Sequence, residues 1–156
     1  MIYIVIGQSG AGKTTFVKER FIKGDTMIVN DIVPCTISKG VVLIGKYNVG
    51  LRTEGTDCLP YNALGKIEKQ VEKLNKGVVV VEGDRINNNE FFNFLINKRL
   101  EGKLYLITCS VETSIKRLRN AGSKITEKFV RATRTKSINN FIKYRYFFDG
   151  EEICTD

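Results

Sequence analysis

The chain has 156 residues, 42% of them hydrophobic and 27% charged, and a net charge of +8. That length suits one domain over residues 1–156 with a real core. No apolar run approaches the ~20 residues of a membrane span, so the expectation is a cytoplasmic protein with no membrane contact. Histidine is absent, and Cys35, Cys58, Cys109 and Cys154 are scattered without a C-x-x-C. This excludes a histidine base and argues against a Cys/His zinc site; the thiols read as reduced and structural.

In chain order, Ile2-Tyr3-Ile4-Val5-Ile6 reads as a buried strand. Directly after it, Gly7-Gln8-Ser9-Gly10-Ala11-Gly12-Lys13-Thr14 fits G-x-x-x-x-G-K-[ST] without a mismatch, and Thr14–Ile22 reads as a helix. Glycines let successive amides turn inward on a phosphate, and the helix N-terminus adds partial positive charge there. The pattern expects ATP or GTP bound by residues 7–15, with Lys13 on the β- and γ-phosphates and the Thr14 hydroxyl on Mg²⁺.

Thr26–Val29 is a candidate second strand ending at Asn30-Asp31, and Val41–Gly45 is another apolar run. Lys46 to Asp57 is polar and Gly-rich, an exposed loop. A helix is expected over Pro60–Asn75, with apolar positions 64, 67, 71 and 74, stopped by Gly77. Four valines, 78–81, mark a strand buried on both faces and leading into Glu82-Gly83-Asp84-Arg85. Asn88–Leu100 is the next helix, whose aromatic stripe reads as core. Lys103–Thr108 is a strand, Ser110 caps a helix to about Asn120, and a last helix spans Thr126–Lys143. The tail reads as a hairpin around Asp149-Gly150.

Strands alternating with helices point to an α/β P-loop NTPase fold: a mostly parallel sheet, helices on both faces, the nucleotide at the C-terminal edge of the strands. Residues just after strands are therefore the candidates for chemistry. Glu82 would support Mg²⁺ or the nucleophile. Asp31 and Asp57 both qualify as the base that takes a hydroxyl proton, Asp31 first. Arg117 and Arg119, then Arg131 and Arg134 beyond the Gly122–Ile125 hinge, suit an Arg-bearing lid over about 117–136 that clamps phosphates and excludes water. From Asn97 to Arg145 there are thirteen Lys/Arg against three acids, a basic half that suits phosphates or nucleic acid.

The phosphate loop, Asn30-Asp31, Ile44-Gly45-Lys46-Tyr47, Gly55-Thr56-Asp57-Cys58-Leu59, Val81-Glu82-Gly83 and the basic Arg117–Lys136 occur in one order. Together they resemble the small bacteriophage phosphate-loop kinases that act on DNA bases, the 5-hydroxymethyluracil DNA kinases. The resemblance implies an enzyme using ATP and Mg²⁺ to phosphorylate the hydroxymethyl group of a modified pyrimidine in double-stranded DNA, with the target base extruded from the stack. Tyr47 and Tyr61 are the nearest candidates for stacking on such a base. The alternatives are a kinase of a free nucleoside, nucleotide or other small metabolite, and a nucleoside triphosphatase without kinase activity.

Overall fold

A computed structural model describes residues 1–156. Seven strands form one sheet: β1 (Ile2–Gly7), β2 (Met27–Asn30), β3 (Pro34–Ser38), β4 (Val41–Ile44), β5 (Val78–Glu82), β6 (Gly102–Thr108) and β7 (Glu151–Cys154). Their order is β2-β3-β4-β5-β1-β6-β7. From β4 to β7 every pairing is parallel, and β2 and β3 add an antiparallel margin. The helices are α1 (Lys13–Phe21), α2 (Leu64–Leu74), α3 (Asn89–Asn97), α4 (Val111–Asn120) and α5 (Glu127–Tyr144). No helix is long and apolar enough to cross a membrane.

The alternation of β-strand side chains divides the core between the two faces of the sheet. Ile2, Ile4 and Ile6 of β1, with Val79, Val81, Leu104 and Leu106, pack against Ile67, Phe91, Phe92 and Phe141 from α2, α3 and α5. Val5, Val80, Tyr105 and Ile107 on the opposite face pack against Val17 and Phe21 of α1. Burial on both faces is why the valine run carries no polar alternation. The Phe91-Phe92 stripe of α3 is fully buried, as its spacing suggests.

Two elements depart from the sequence reading. β3 has no apolar signature because its buried side chains include Thr36 and Ser38. Thr36 Oγ1 donates to the Gly45 carbonyl at 3.0 Å and accepts from the Tyr47 amide at 3.0 Å, so burial of this hydroxyl is compensated. The tail is not a hairpin. Asp149, at φ 45°, and Gly150 do turn the chain, but Glu151–Cys154 then joins the sheet beside β6, in parallel. A strand that follows a helix on the same face enters the sheet parallel to its neighbours, which local turn residues do not reveal.

The loop after β4 folds back on itself. Lys46 bridges to Gly55, and a Cβ on Gly45 would stand 1.9 Å from the Gly55 carbonyl oxygen. Gly55 itself sits at φ 67°, with a would-be Cβ 2.6 Å from Glu82 Oε1. Only glycine lets the two backbones meet there. The contact delivers the short 3-10 turn Thr56–Cys58 to the end of β5, where Thr56 Oγ1 donates to the Glu82 carbonyl at 2.6 Å.

Candidate functional site

Residues 7–12 connect β1 to α1 at the C-terminal edge of the parallel strands. Gly10 and Gly12 hold φ of 77° and 96°, which allows consecutive amides to face one point. Gly12 is the N-cap of α1 and supplies no side-chain cap, so amides of the first turn remain available to an anion. The loop is anchored from behind. Gln8 is fully buried and donates to the Cys109 carbonyl at 2.7 Å and to Ser114 Oγ at 3.1 Å. The Ser9 amide reaches Thr133 Oγ1 of α5 at 3.3 Å. Lys13 Nζ is held across the loop by the Gly7 and Gln8 carbonyls, both at 3.0 Å.

Glu82 lies at the end of β5, next to β1, and accepts from Thr14 Oγ1 at 2.8 Å. Its other oxygen is buried without a partner, and so is the Tyr47 hydroxyl beside it. Burial pushes the Glu82 carboxyl up to about 7, with Lys13 and the Thr14 hydrogen bond opposing the shift. A hydroxyl, a carboxylate and an unpaired buried oxygen beside the loop fit Mg²⁺, which prefers one or two protein oxygens plus phosphate oxygens and water to a full protein cage. No cluster of three acidic, Cys or His side chains exists that would make such a cage.

The raised carboxyl has a consequence for stability. Between the ordinary value of 4.5 and about 7, the folded chain holds a proton that the unfolded chain has released. Glu82 therefore costs stability as pH rises through that window, by about 3 kcal/mol in total. Glu82→Gln is expected to remove this component and to be the more stable protein at pH 8 without nucleotide or metal. Urea unfolding of both proteins at pH 5 and pH 8 checks it; the same pH dependence in both would refute the burial argument.

Two clefts meet at the phosphate loop. The first, about 680 Å³, is bounded by Phe16, Arg117, Leu118, Ile153 and Thr155. The second, about 460 Å³, is bounded by Lys13, Thr14, Arg52, Glu54 and Asp57. Gly10, Gly12 and Thr15 line both. A ligand in one cleft and a ligand in the other would thus approach across the glycine loop.

The residues expected to act together are not all assembled. Asp57 is at the second cleft; its Oδ1 accepts from the Asp84 amide at 2.8 Å and the Arg85 amide at 3.4 Å, while Oδ2 has no protein partner. Asp31 is not brought to the phosphate loop. It directly follows β2, four strand positions from β1, or roughly 19 Å at ~4.8 Å per strand. There Lys73, at 2.8 Å, and Gln70, at 3.1 Å, hold its carboxyl below the usual value. Structure thus gives Asp31 an ion pair in place of a catalytic position.

Nor do the lid arginines form one cluster. Arg117 donates to the Gly10 and Ala11 carbonyls and to Thr155, walling the first cleft. Arg119 donates to the Ser123 and Ile125 carbonyls, bracing the α4–α5 connection. Arg131 pairs with Glu127 one turn away on an exposed face. Arg134 keeps a buried, unpaired Nε on α5 next to Thr133. Val130, Ser137, Phe141 and Tyr144 of α5 are buried, so this helix is packed down beyond its first turn.

Two residues at the site, Arg52 and Thr155, went unassigned in the sequence, and one stacking candidate is withdrawn. Arg52 lines the second cleft and donates to the Gly122 carbonyl at 2.8 Å, joining the two sides of its mouth. Thr155, from the tail strand, closes the first cleft with its hydroxyl 2.6 Å from the Ala11 carbonyl. Tyr47 is completely buried beside Glu82, which removes it as a stacking platform. The only signal for the two missed residues was an arginine in a Gly-rich loop.

No protein-family model matches this chain, and no curated protein does. Solved structures do. Deoxyadenosine kinase from M. mycoides with the products dCMP and a flexible dCDP bound is 15% identical, with a TM-score of 0.53 over 98% of this chain and 90% of that one. The same enzyme with bound dCTP is 16% identical, at a TM-score of 0.48 over 99% and 90%; with bound dATP it is 14% identical, at 0.46 over 99% and 91%. Strand order around β1, the glycine loop into α1, the acid ending β5 and the match at 0.53 converge on one architecture: this chain has the P-loop NTPase fold.

Proposed function

We propose that this protein is a phosphotransferase that moves the γ-phosphoryl group of ATP to a hydroxyl on a nucleoside or nucleotide. The observation that carries this reading is the pair of clefts meeting at Gly10, Gly12 and Thr15, with a carboxylate, Asp57, on the second. A triphosphatase needs only the first cleft and a water; an acceptor needs the second.

In this reading the base of ATP occupies the Phe16–Arg117–Thr155 cleft, and its phosphates lie along the amides of residues 9–14. Lys13 leaves its carbonyl partners to balance charge on the β- and γ-phosphates. Thr14 and Glu82 would hold Mg²⁺, which neutralises phosphate charge when bound. The acceptor oxygen attacks the γ-phosphorus, the bond to the β–γ bridging oxygen breaks, ADP departs, and the hydroxyl proton passes to Asp57 Oδ2. Arg52 and Gly122, bonded across the mouth, limit water at the reacting atoms.

A protein of the same fold with dCMP and dCDP as products puts a nucleoside-type acceptor first. The second reading, 5-hydroxymethyluracil within double-stranded DNA, is favoured by the exposed basic residues between Asn97 and Arg145 that have no acidic partner, among them Arg99, Lys116, Lys124 and Lys128. The test is incubation with ATP labelled at the γ-phosphate and a panel of free nucleosides, plain DNA and hydroxymethylated DNA. Label on a nucleoside supports the first reading. Label on hydroxymethylated DNA, falling steeply with salt, supports the second. ADP release that no acceptor accelerates overturns both.

A further inference from the structure

We propose that Tyr61, backed by Arg85, is the platform on which the nucleobase of the acceptor stacks; the inference rests on the phosphotransfer reading above. Tyr61 follows the 3-10 turn that carries Asp57 and is 89% exposed. A single exposed ring is ordinary. This one is not left loose: the Arg85 guanidinium carbon lies 3.9 Å from its centroid. Arg85 is in turn fixed from inside, its side chain only 15% exposed. Its Nε donates to the Leu59 carbonyl at 3.2 Å, its Nη2 donates to the Asp57 carbonyl at 3.5 Å, and its Nη1 is 3.9 Å from Asp57 Oδ1.

One guanidinium therefore spans the gap between the carboxylate at the acceptor cleft and the aromatic ring. The cation covers one face of the ring and leaves the phenol otherwise open to solvent. Every base has a π-face, so such a ring accepts bases without selecting among them by hydrogen bonds. A ring already held by a cation loses little freedom when a base stacks on it. The other rings exposed by more than half, Tyr146 and Phe147, line a hollow with Met1 and Gly102 at the starts of β1 and β6, the edge opposite the phosphate loop. Tyr61 alone combines exposure with the active edge.

The same chemistry could come from a free nucleoside or from a base in a strand, and two probes separate them: 5-hydroxymethyl-2′-deoxyuridine, and a short single-stranded oligonucleotide containing it. Tyr61→Ala is expected to weaken the acceptor about ten- to a hundredfold in KM and in direct binding, from the usual worth of base–aromatic stacking. The KM for ATP and the melting temperature stay unchanged, and Tyr61→Phe keeps near wild-type values. Loss on the nucleoside places the reacting base itself on the ring. Loss on the oligonucleotide alone places a neighbouring base there, stacked at about 3.4 Å per step. Both outcomes support the platform. Equal binding of both probes by wild type and Tyr61→Ala overturns it, as does a loss matched by Tyr61→Phe. If wild type transfers phosphate to neither probe, the phosphotransfer reading loses these acceptors, yet direct binding still decides the platform; no binding by wild type counts against it.

Discussion

Lys13→Ala is expected to lower kcat for phosphoryl transfer about 10²- to 10³-fold, the cost of removing one preorganised charge or donor from a developing oxyanion. The ammonium is held by the Gly7 and Gln8 carbonyls of the loop itself. ATP affinity should fall far less, because the loop amides and the Phe16–Arg117 cleft remain. The fold should survive. Lys13 makes no ion pair, and the loop is anchored through Gln8 and Ser9, which the substitution leaves alone. Label-transfer rates and ATP binding, with melting temperature alongside, make the comparison. A variant with near-full turnover would remove the phosphate loop from the chemistry.

Asp57→Asn is the second large effect. Loss of a positioned base costs about 10²- to 10⁴-fold in turnover, and asparagine still accepts the Asp84 and Arg85 amides that Oδ1 accepts now. The loss should therefore fall on kcat with the ATP KM nearly constant. Asp31→Asn should leave turnover within about twofold, since its carboxylate serves Lys73 and Gln70 at the sheet margin. An exposed pair of that kind adds little, so stability changes little as well. The reverse result, with Asp31→Asn silent in stability but crippled in turnover, would move the base to β2 and contradict the arrangement of the clefts.

Much of the scaffold was legible because it depends on periodicity. The strand before the glycine loop, the valine run and the helices at 64–74 and 89–97 bury residues that their spacing selects. β3 was hidden because its inward positions are hydroxyls, satisfied only by Gly45 and Tyr47 nine to eleven residues on. The parallel β7 was hidden because a turn at Asp149-Gly150 looks the same whether the next strand pairs locally or with β6. Charge counting overstated the free basic surface: Lys98, Lys103, Arg131 and Lys136 have acidic partners, and Arg117 and Arg119 are spent on backbone carbonyls.

The candidate site divides along the same line. Its phosphate half is local in the chain: eight consecutive residues whose backbone freedom and helix N-terminus specify where an anion sits, so the amino-acid order alone determined it. Its acceptor half joins residues far apart in the chain. Asp31 follows an apolar run and Asp57 closes a polar, Gly-rich loop, and nothing local in the chain separates them as the base. Only the strand order, with β3 and β4 inserted between β2 and β5, carried one away to Lys73, while the close Gly45–Gly55 contact set the other beside Lys13, Glu82 and Arg85. Pairing of strands across long sequence separations decides such distances, and no short-range pattern encodes it.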